Sequence, residues 1–228
     1  MAFTSQDVMK LREATGVGMM DCKKALVETD GDFEAAIKYL REKGMASAAK
    51  KASRIAAEGI VDSYIHMNGR IGVLLEVNCE TDFVARSDAF RELVHNLAMQ
   101  IAAAKPLVIS KEEVDPKKIE IEREIWRNQA LNEPNPKPMA VIEKILDNKV
   151  NKYYKEIVLL EQPYVKDDSK TVQQLINEAV AAIGEKISVR RFARYEMGEG
   201  LEKKQDTFVQ EIPVSYTHLR AHETGRNL

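Results

Sequence analysis

The residues best suited to chemistry or recognition stand in one stretch, Asn78-Cys79-Glu80-Thr81-Asp82-Phe83-Val84. Here a carboxylate, Asp82, and an aromatic ring, Phe83, are neighbours at what reads as a strand-to-helix corner. A turn that only reverses the chain more often carries Gly, Pro or Asn. The pair can present a fixed charge and an apolar wedge to a partner. It can equally serve the fold, with Phe83 a hydrophobic staple under the helix that begins near Ser87 and Asp82 a cap acceptor. Both readings are open at this level. Cys22, Cys79, His66 and His95 contain a nucleophile and a base, which need only spatial adjacency. Yet Cys79 falls on the apolar face of a strand, and Cys is among the most buried residue types. His218 and His222 have the i, i+4 spacing of metal ligands but no third ligand nearby. No Gly-x-x-x-x-Gly-Lys-[Ser/Thr] loop, Gly-x-Gly-x-x-Gly turn, Gly-x-Ser-x-Gly elbow, His-Glu-x-x-His or Cys-x-x-Cys occurs. The chain thus carries no nucleotide or metal fingerprint, no cofactor is expected, and a binding protein is favoured over an enzyme.

Two patterned elements must hold the corner. Before it Ile71, Val73, Leu75, Val77 and Cys79 alternate as in a half-buried strand, and after it Phe90, Leu93, Val94, Leu97, Ala98 and Ile101 recur at helical spacing. Upstream, Ile60, Tyr64 and Ile65 mark a partner strand. Asn68-Gly69 supplies the residues a two-residue type I′ hairpin prefers. The pattern predicts a helix of about residues 88–104.

The remainder is read around this frame. Thr4-x-x-Asp7 is a capping box for a first helix closed at Gly16; a second runs from Gly18 to Gly31; a third, with Phe33, Ala36, Ile37 and Leu40, ends at Gly44. Residues 1–45 thus form a three-helix module and 46–58 a partly helical linker, whose Lys50, Lys51 and Arg54 read as a solvated face. Asp115-Pro116 opens a charged helix, residues 132–138 break it, and Val141 to Tyr153 return it, predicting a projecting helical hairpin over about 112–155. Ile157 to Leu160 read as a strand ended by Pro163. A helix follows Thr171 and stops at Gly184. Ile187, Val189, Ala193, Tyr195 and Met197 then alternate as a last strand, with Arg190, Arg191 and Arg194 on its solvated face. The core is expected over 59–200, a C-terminal segment over 201–214, and a non-native tail over 215–228, where all periodicity is lost.

At 228 residues with 44% apolar content the chain can bury a sizeable core. Its 34 Lys and Arg nearly balance 36 Asp and Glu, so no global field recruits nucleic acid or an anionic membrane. No apolar run approaches the roughly 20 residues of a spanning helix, and the first residues resemble no secretory leader. A cytoplasmic protein with two free thiols is expected.

Two long motifs then agree in order. Leu11-Arg12-Glu13-Ala14-Thr15-Gly16-Val17-Gly18-Met19-Met20-Asp21-Cys22-Lys23-Lys24-Ala25-Leu26 and Glu76-Val77-Asn78-Cys79-Glu80-Thr81-Asp82-Phe83-Val84-Ala85 resemble the two signatures of the bacterial elongation factor Ts family. The similarity runs from about residue 5 to about residue 212. It implies an α+β protein: an N-terminal three-helix ubiquitin-associated-like domain, then an antiparallel-sheet core with packed helices and an inserted helical hairpin, the family's coiled coil. Only one hairpin-plus-helix unit precedes that coiled coil, so the short form with a single core subdomain is implied, paired as a homodimer. The implied function is guanine-nucleotide exchange on the GTPase elongation factor Tu, with no catalytic residue. Asp82 and Phe83, framed by Thr81 and Val84, correspond to the residues that enter the GTPase beside its magnesium. Arg12, Met19 and Met20 correspond to an N-terminal contact, although one Met can instead fill the three-helix core. Met197 to Lys204 matches the family, and Asp206 to Glu211 looks like the start of its final helix. A non-exchanging adaptor that binds a peptide or ubiquitin-like surface is the alternative.

Overall fold

The hairpin of β1 (Glu58–His66) and β2 (Ile71–Cys79) is the frame of the molecule. In the computed structural model, which describes residues 3–134 and 137–201, it pairs antiparallel from Glu58↔Cys79 to His66↔Ile71. The last strand, β5 (Ser188–Glu196), joins β2 antiparallel on the other side, giving the order β1-β2-β5. Val73, Leu75, Val77 and Cys79 are buried, as the period of two predicts. They meet α5 (Asp88–Ala104) through Phe90, Leu93, Val94, Leu97 and Ile101, and α8 (Val172–Ile183) through Ile176 and Val180. Helices and antiparallel strands around this core make the fold α+β.

Three helices precede the sheet: α1 (Ser5–Thr15), α2 (Met19–Glu28) and α3 (Phe33–Lys51). The expected Thr4/Asp7 capping box is present and Gly16 closes α1 in the left-handed conformation. Val8, Leu11, Cys22, Ala25, Leu26, Ala36 and Leu40 form a small apolar cluster of their own. The third helix does not end at Gly44. It continues for seven residues to Lys51, six of them within the expected linker, because Gly44 lies against α8, where an added Cβ would sit 3.4 Å from the Cβ of Ala181. Close helix packing offsets the low helix propensity of Gly.

The hairpin loop also differs from the two-residue expectation. Pairing stops at His66↔Ile71, so the loop has four residues, Met67 to Arg70. Asn68 and Gly69 adopt the positive φ values of a type I′ turn, 54° and 91°, and Met67 joins them at 50°.

The predicted helical hairpin is formed by α6 (Pro116–Leu131), capped by Asp115, and α7 (Met139–Ile157). Trp126 meets Tyr153 edge to face at 6.2 Å, and Arg123 and Arg127 both bond Glu143. α6 buries no residue, in keeping with a projecting arm. At its base the buried amides of Gln100 and Gln162 bond one another (3.2 Å). They also bond the carbonyls of Pro163, Ala104 and Glu156, joining α5 to the end of α7.

Residues 157–160 are not a strand. α7 runs to Ile157, Val158 makes a single parallel bridge with Val108, and a 3-10 turn follows at Leu159–Glu161. Val158 and Leu159 are buried side by side between half-buried Ile157 and Leu160, so the run lacks the alternation that separates strand from turn. A small hairpin, β3 (Pro163–Tyr164) with β4 (Asp167–Thr171), was unforeseen because its residues are mostly polar. In β5 the expected alternation breaks at a bulge: Glu76 pairs with Arg191 and Val77 with Val189. The extra residue reverses the faces downstream. Phe192 therefore packs on the core, Tyr195 is 74% exposed, and Arg194 is not solvated but donates to the Ala102 carbonyl. Arg190 and Arg191 remain on the surface, both paired with Glu76.

Residues up to Met197 form one compact unit, and residues 198–201 make a single turn closed by Leu201 N–H on the Gly198 carbonyl. The C-terminal helix expected near 206–211 and the tail of 215–228 lie outside the described residues. Among the described residues no helix is long and apolar enough to cross a membrane.

Candidate partner-binding site

The corner after β2 is a tight strand-to-helix turn. Cys79 ends the strand, Glu80 and Thr81 bridge, and Asp82–Ala85 form a single helical turn, α4. Thr81 is its N-cap: its side-chain oxygen accepts the Val84 N–H at 3.3 Å. Val84 and Ala85 point into the core at 8% and 5% exposure, whereas Phe83 is 82% exposed. Successive helical residues turn about 100° apart, so seating Val84 presents Phe83 outward. The staple reading of Phe83 therefore fails, and Ser87 instead caps α5 by accepting the Phe90 N–H. Asp82 is not the cap acceptor either. It sits exposed and accepts from Arg86 at 2.9 Å. An ion pair this exposed is weak and free to be exchanged for another partner.

The turn is held from a distance. Glu185, just after the left-handed Gly184 that stops α8, accepts the N–H groups of Glu80 (3.1 Å) and Thr81 (3.0 Å) and the Thr81 hydroxyl (2.7 Å). In return Glu80 accepts the Lys186 N–H at 2.6 Å and lies against Arg54 at 3.3 Å. The Lys186 N–H, and then the Arg54 guanidinium, hold the Glu80 carboxyl below its ordinary 4.5. The Lys186 ammonium donates to the Arg54 carbonyl at 2.9 Å, so two segments distant in sequence, around residues 54 and 185, close on the two bridging residues. None of these partners was singled out from sequence as acting on the corner, since no periodicity links residues 80 and 185.

Cys79 is a buried thiol that donates to the Thr81 carbonyl at 3.2 Å. Burial, with Glu185 nearby, pushes its pKa up, away from the thiolate a nucleophile requires. His95 instead stands edge to face with Tyr64 at 5.4 Å, and the Tyr64 hydroxyl bonds His66 Nδ1 at 2.9 Å.

The other predicted residues flank the turn between α1 and α2. Arg12 is exposed in the last turn of α1; Met19 and Met20 begin α2, at 39% and 77% exposure. Neither Met fills the core, because Cys22, Ala25 and Leu26 do. Met19 borders a shallow groove with Phe3, Val8 and Met9.

The sequence profile of the family described as Elongation factor TS matches residues 6–199. The chain is 64% identical over 205 residues to the elongation factor Ts of Desulforamulus reducens, covering 90% of this chain and 94% of that one. It is 60% identical over 209 residues to that of Heliobacterium modesticaldum (92% and 96%) and 56% identical over 215 residues to that of Geotalea daltonii (94% and 99%).

Proposed function

This chain belongs to the elongation factor Ts family and is a translation elongation factor; from that premise we propose that it exchanges guanine nucleotide on elongation factor Tu by inserting its Asp82–Phe83 corner. The observation that carries the reading is the exposure of Phe83, 82%, on a turn whose flanking residues are buried or pinned. A ring presented this way can bury about 150–250 Å² in a pocket of the GTPase. As a wedge beside the magnesium site it displaces the elements that hold the ion and the phosphates. Asp82, released from Arg86, brings a negative charge toward the β-phosphate or competes for a magnesium-associated water. Because Mg²⁺ offsets phosphate charge, its displacement weakens GDP binding.

Nothing in this cycle makes or breaks a covalent bond. If the factor weakens GDP binding by some ratio, nucleotide weakens factor binding by the same ratio, so abundant GTP completes the cycle by expelling it. Arg12, Met19 and Met20 supply a second contact, for which flexible Met side chains suit an adaptable apolar surface. We read residues 1–45 as a ubiquitin-associated-like domain, 59–200 as the core and the α6–α7 arm as the family's coiled coil.

The chain acts as a homodimer on this reading. Support comes from the sheet face turned away from α5, where Val61, Ile65, Leu74 and Tyr195 are 51–74% exposed and share one face, with Ile65 and Tyr195 on either side of Gly72. An apolar patch of this kind suits a self-complementary two-fold interface.

Stopped-flow release of a fluorescent GDP from elongation factor Tu tests the exchange reading. The wild-type chain should accelerate release, and Phe83→Ala should lose about tenfold or more of that effect, roughly one well-buried contact. Its melting temperature should move by less than about 2 °C, as befits an exposed side chain. An unaccelerated release would favour an adaptor, and equal losses of exchange and stability a structural Phe83.

A further inference from the structure

The geometry points to Glu185 as a positioning residue for the exchange corner, a proposal that rests on the reading above. Only two residues, Glu80 and Thr81, separate the end of β2 from the start of α4, and their N–H groups set the direction in which Phe83 leaves the sheet. Both N–H groups are taken by a single oxygen of Glu185, and its other oxygen takes the Thr81 hydroxyl. The Thr81 hydroxyl oxygen is also the cap of α4, so Glu185 orients the group that starts the helical turn. Glu80 answers by accepting the N–H of Lys186, the residue after Glu185. Each carboxylate thus closes the other's turn across 105 residues of sequence.

The clamp matters because the corner has little else to hold it. Asp82 and Phe83 are exposed, and α4 is a single turn with only Val84 and Ala85 in the core. Hydrogen bonds to an ionised carboxylate are stronger than neutral ones, and Glu185 accepts two from backbone N–H groups, at 3.1 and 3.0 Å, where the chain changes course. It touches neither nucleotide nor magnesium on this reading. Its effect is to keep the wedge preformed, so that the GTPase contact is not spent on ordering the turn.

The test compares Glu185→Ala, Glu185→Gln and Phe83→Ala, alone and combined, by stopped-flow GDP release from elongation factor Tu at graded factor concentration. Glu185→Ala should lower the maximal release rate about tenfold, the size expected for losing charge-assisted bonds, and shift the half-saturating concentration far less. Glu185→Gln keeps an acceptor oxygen for both N–H groups and should restore the rate to within about threefold. In the Phe83→Ala background, Glu185→Ala should add little, because residues acting through one another are not additive. Amide hydrogen exchange supplies a readout independent of activity: the Glu80 and Thr81 amides should lose protection in Glu185→Ala and largely keep it in Glu185→Gln. Unchanged protection of those amides, or equal loss of rate with and without Phe83, overturns the positioning role even when exchange itself is confirmed. A wild-type chain without effect on GDP release overturns the exchange reading first, and this proposal with it.

Discussion

Phe83 and Val84 are adjacent apolar residues with opposite fates, one 82% and the other 8% exposed. Composition does not distinguish a wedge from a staple, since both need a large apolar side chain beside a helix start. The local cap does: once Thr81 starts the helical turn and Val84 enters the core, Phe83 has nowhere to go but outward. Glu80 carries a second consequence at this scale. Its carboxyl is held below the ordinary value of 4.5 mainly by the Lys186 N–H. A depressed folded value means that its contribution to stability is present above the unfolded glutamate's range and is lost as pH falls through the lowered one. Melting temperature should therefore fall from roughly pH 5 to pH 3, and Glu80→Gln should flatten part of that fall. Thermal melts of both proteins across this range decide it. Parallel profiles would mean that other carboxylates, such as Glu76 and Glu143, carry the acid sensitivity.

The elements were legible in proportion to how far each is shaped by its own residues. The capping box at Thr4, the helix start after Thr171, the Asp115-Pro116 start and the stops at Gly16 and Gly184 all act locally, and all are found where their residues stand. Elements decided by neighbours were misread. α3 passes Gly44 because α8 lies against it, and β5 changes face because β2 accommodates an extra residue. Gly59 belongs with these. It looks like an ordinary strand residue, yet its φ is 145° and an added Cβ would lie 2.2 Å from the Val77 carbonyl oxygen. Gly59→Ala should therefore cost at least about 2 kcal/mol, the scale of a strained backbone combined with a backbone clash. Urea denaturation measures it, and a midpoint within experimental scatter of wild type would show that the β1–β2 hairpin shifts to make room.

At the scale of the whole molecule, one face of the three-stranded sheet is packed by helices and the other leaves Val61, Ile65, Leu74 and Tyr195 in solvent. If two copies pair through that face, a charge at its centre should separate them. Leu74→Lys is expected to halve the mass seen by light scattering at micromolar concentration and to remove the concentration dependence of melting. A wild-type chain that is already monomeric under those conditions would assign this face to something else.

What the residues determined by themselves were the periods, caps and stops: a strand, a corner, a helix, a three-helix start and a charged arm, with Asp82 and Phe83 marked at the corner. These are short-range properties, fixed by sterics and hydrogen bonds within about a turn of each residue. Only the tertiary structure decided that Phe83 faces outward, that neither Met19 nor Met20 fills the core, and that Glu185 and Glu80 close each other's turns. Those outcomes depend on which distant segments the core brings together. A hydrogen bond between residues 80 and 185 leaves no pattern in either neighbourhood of the chain.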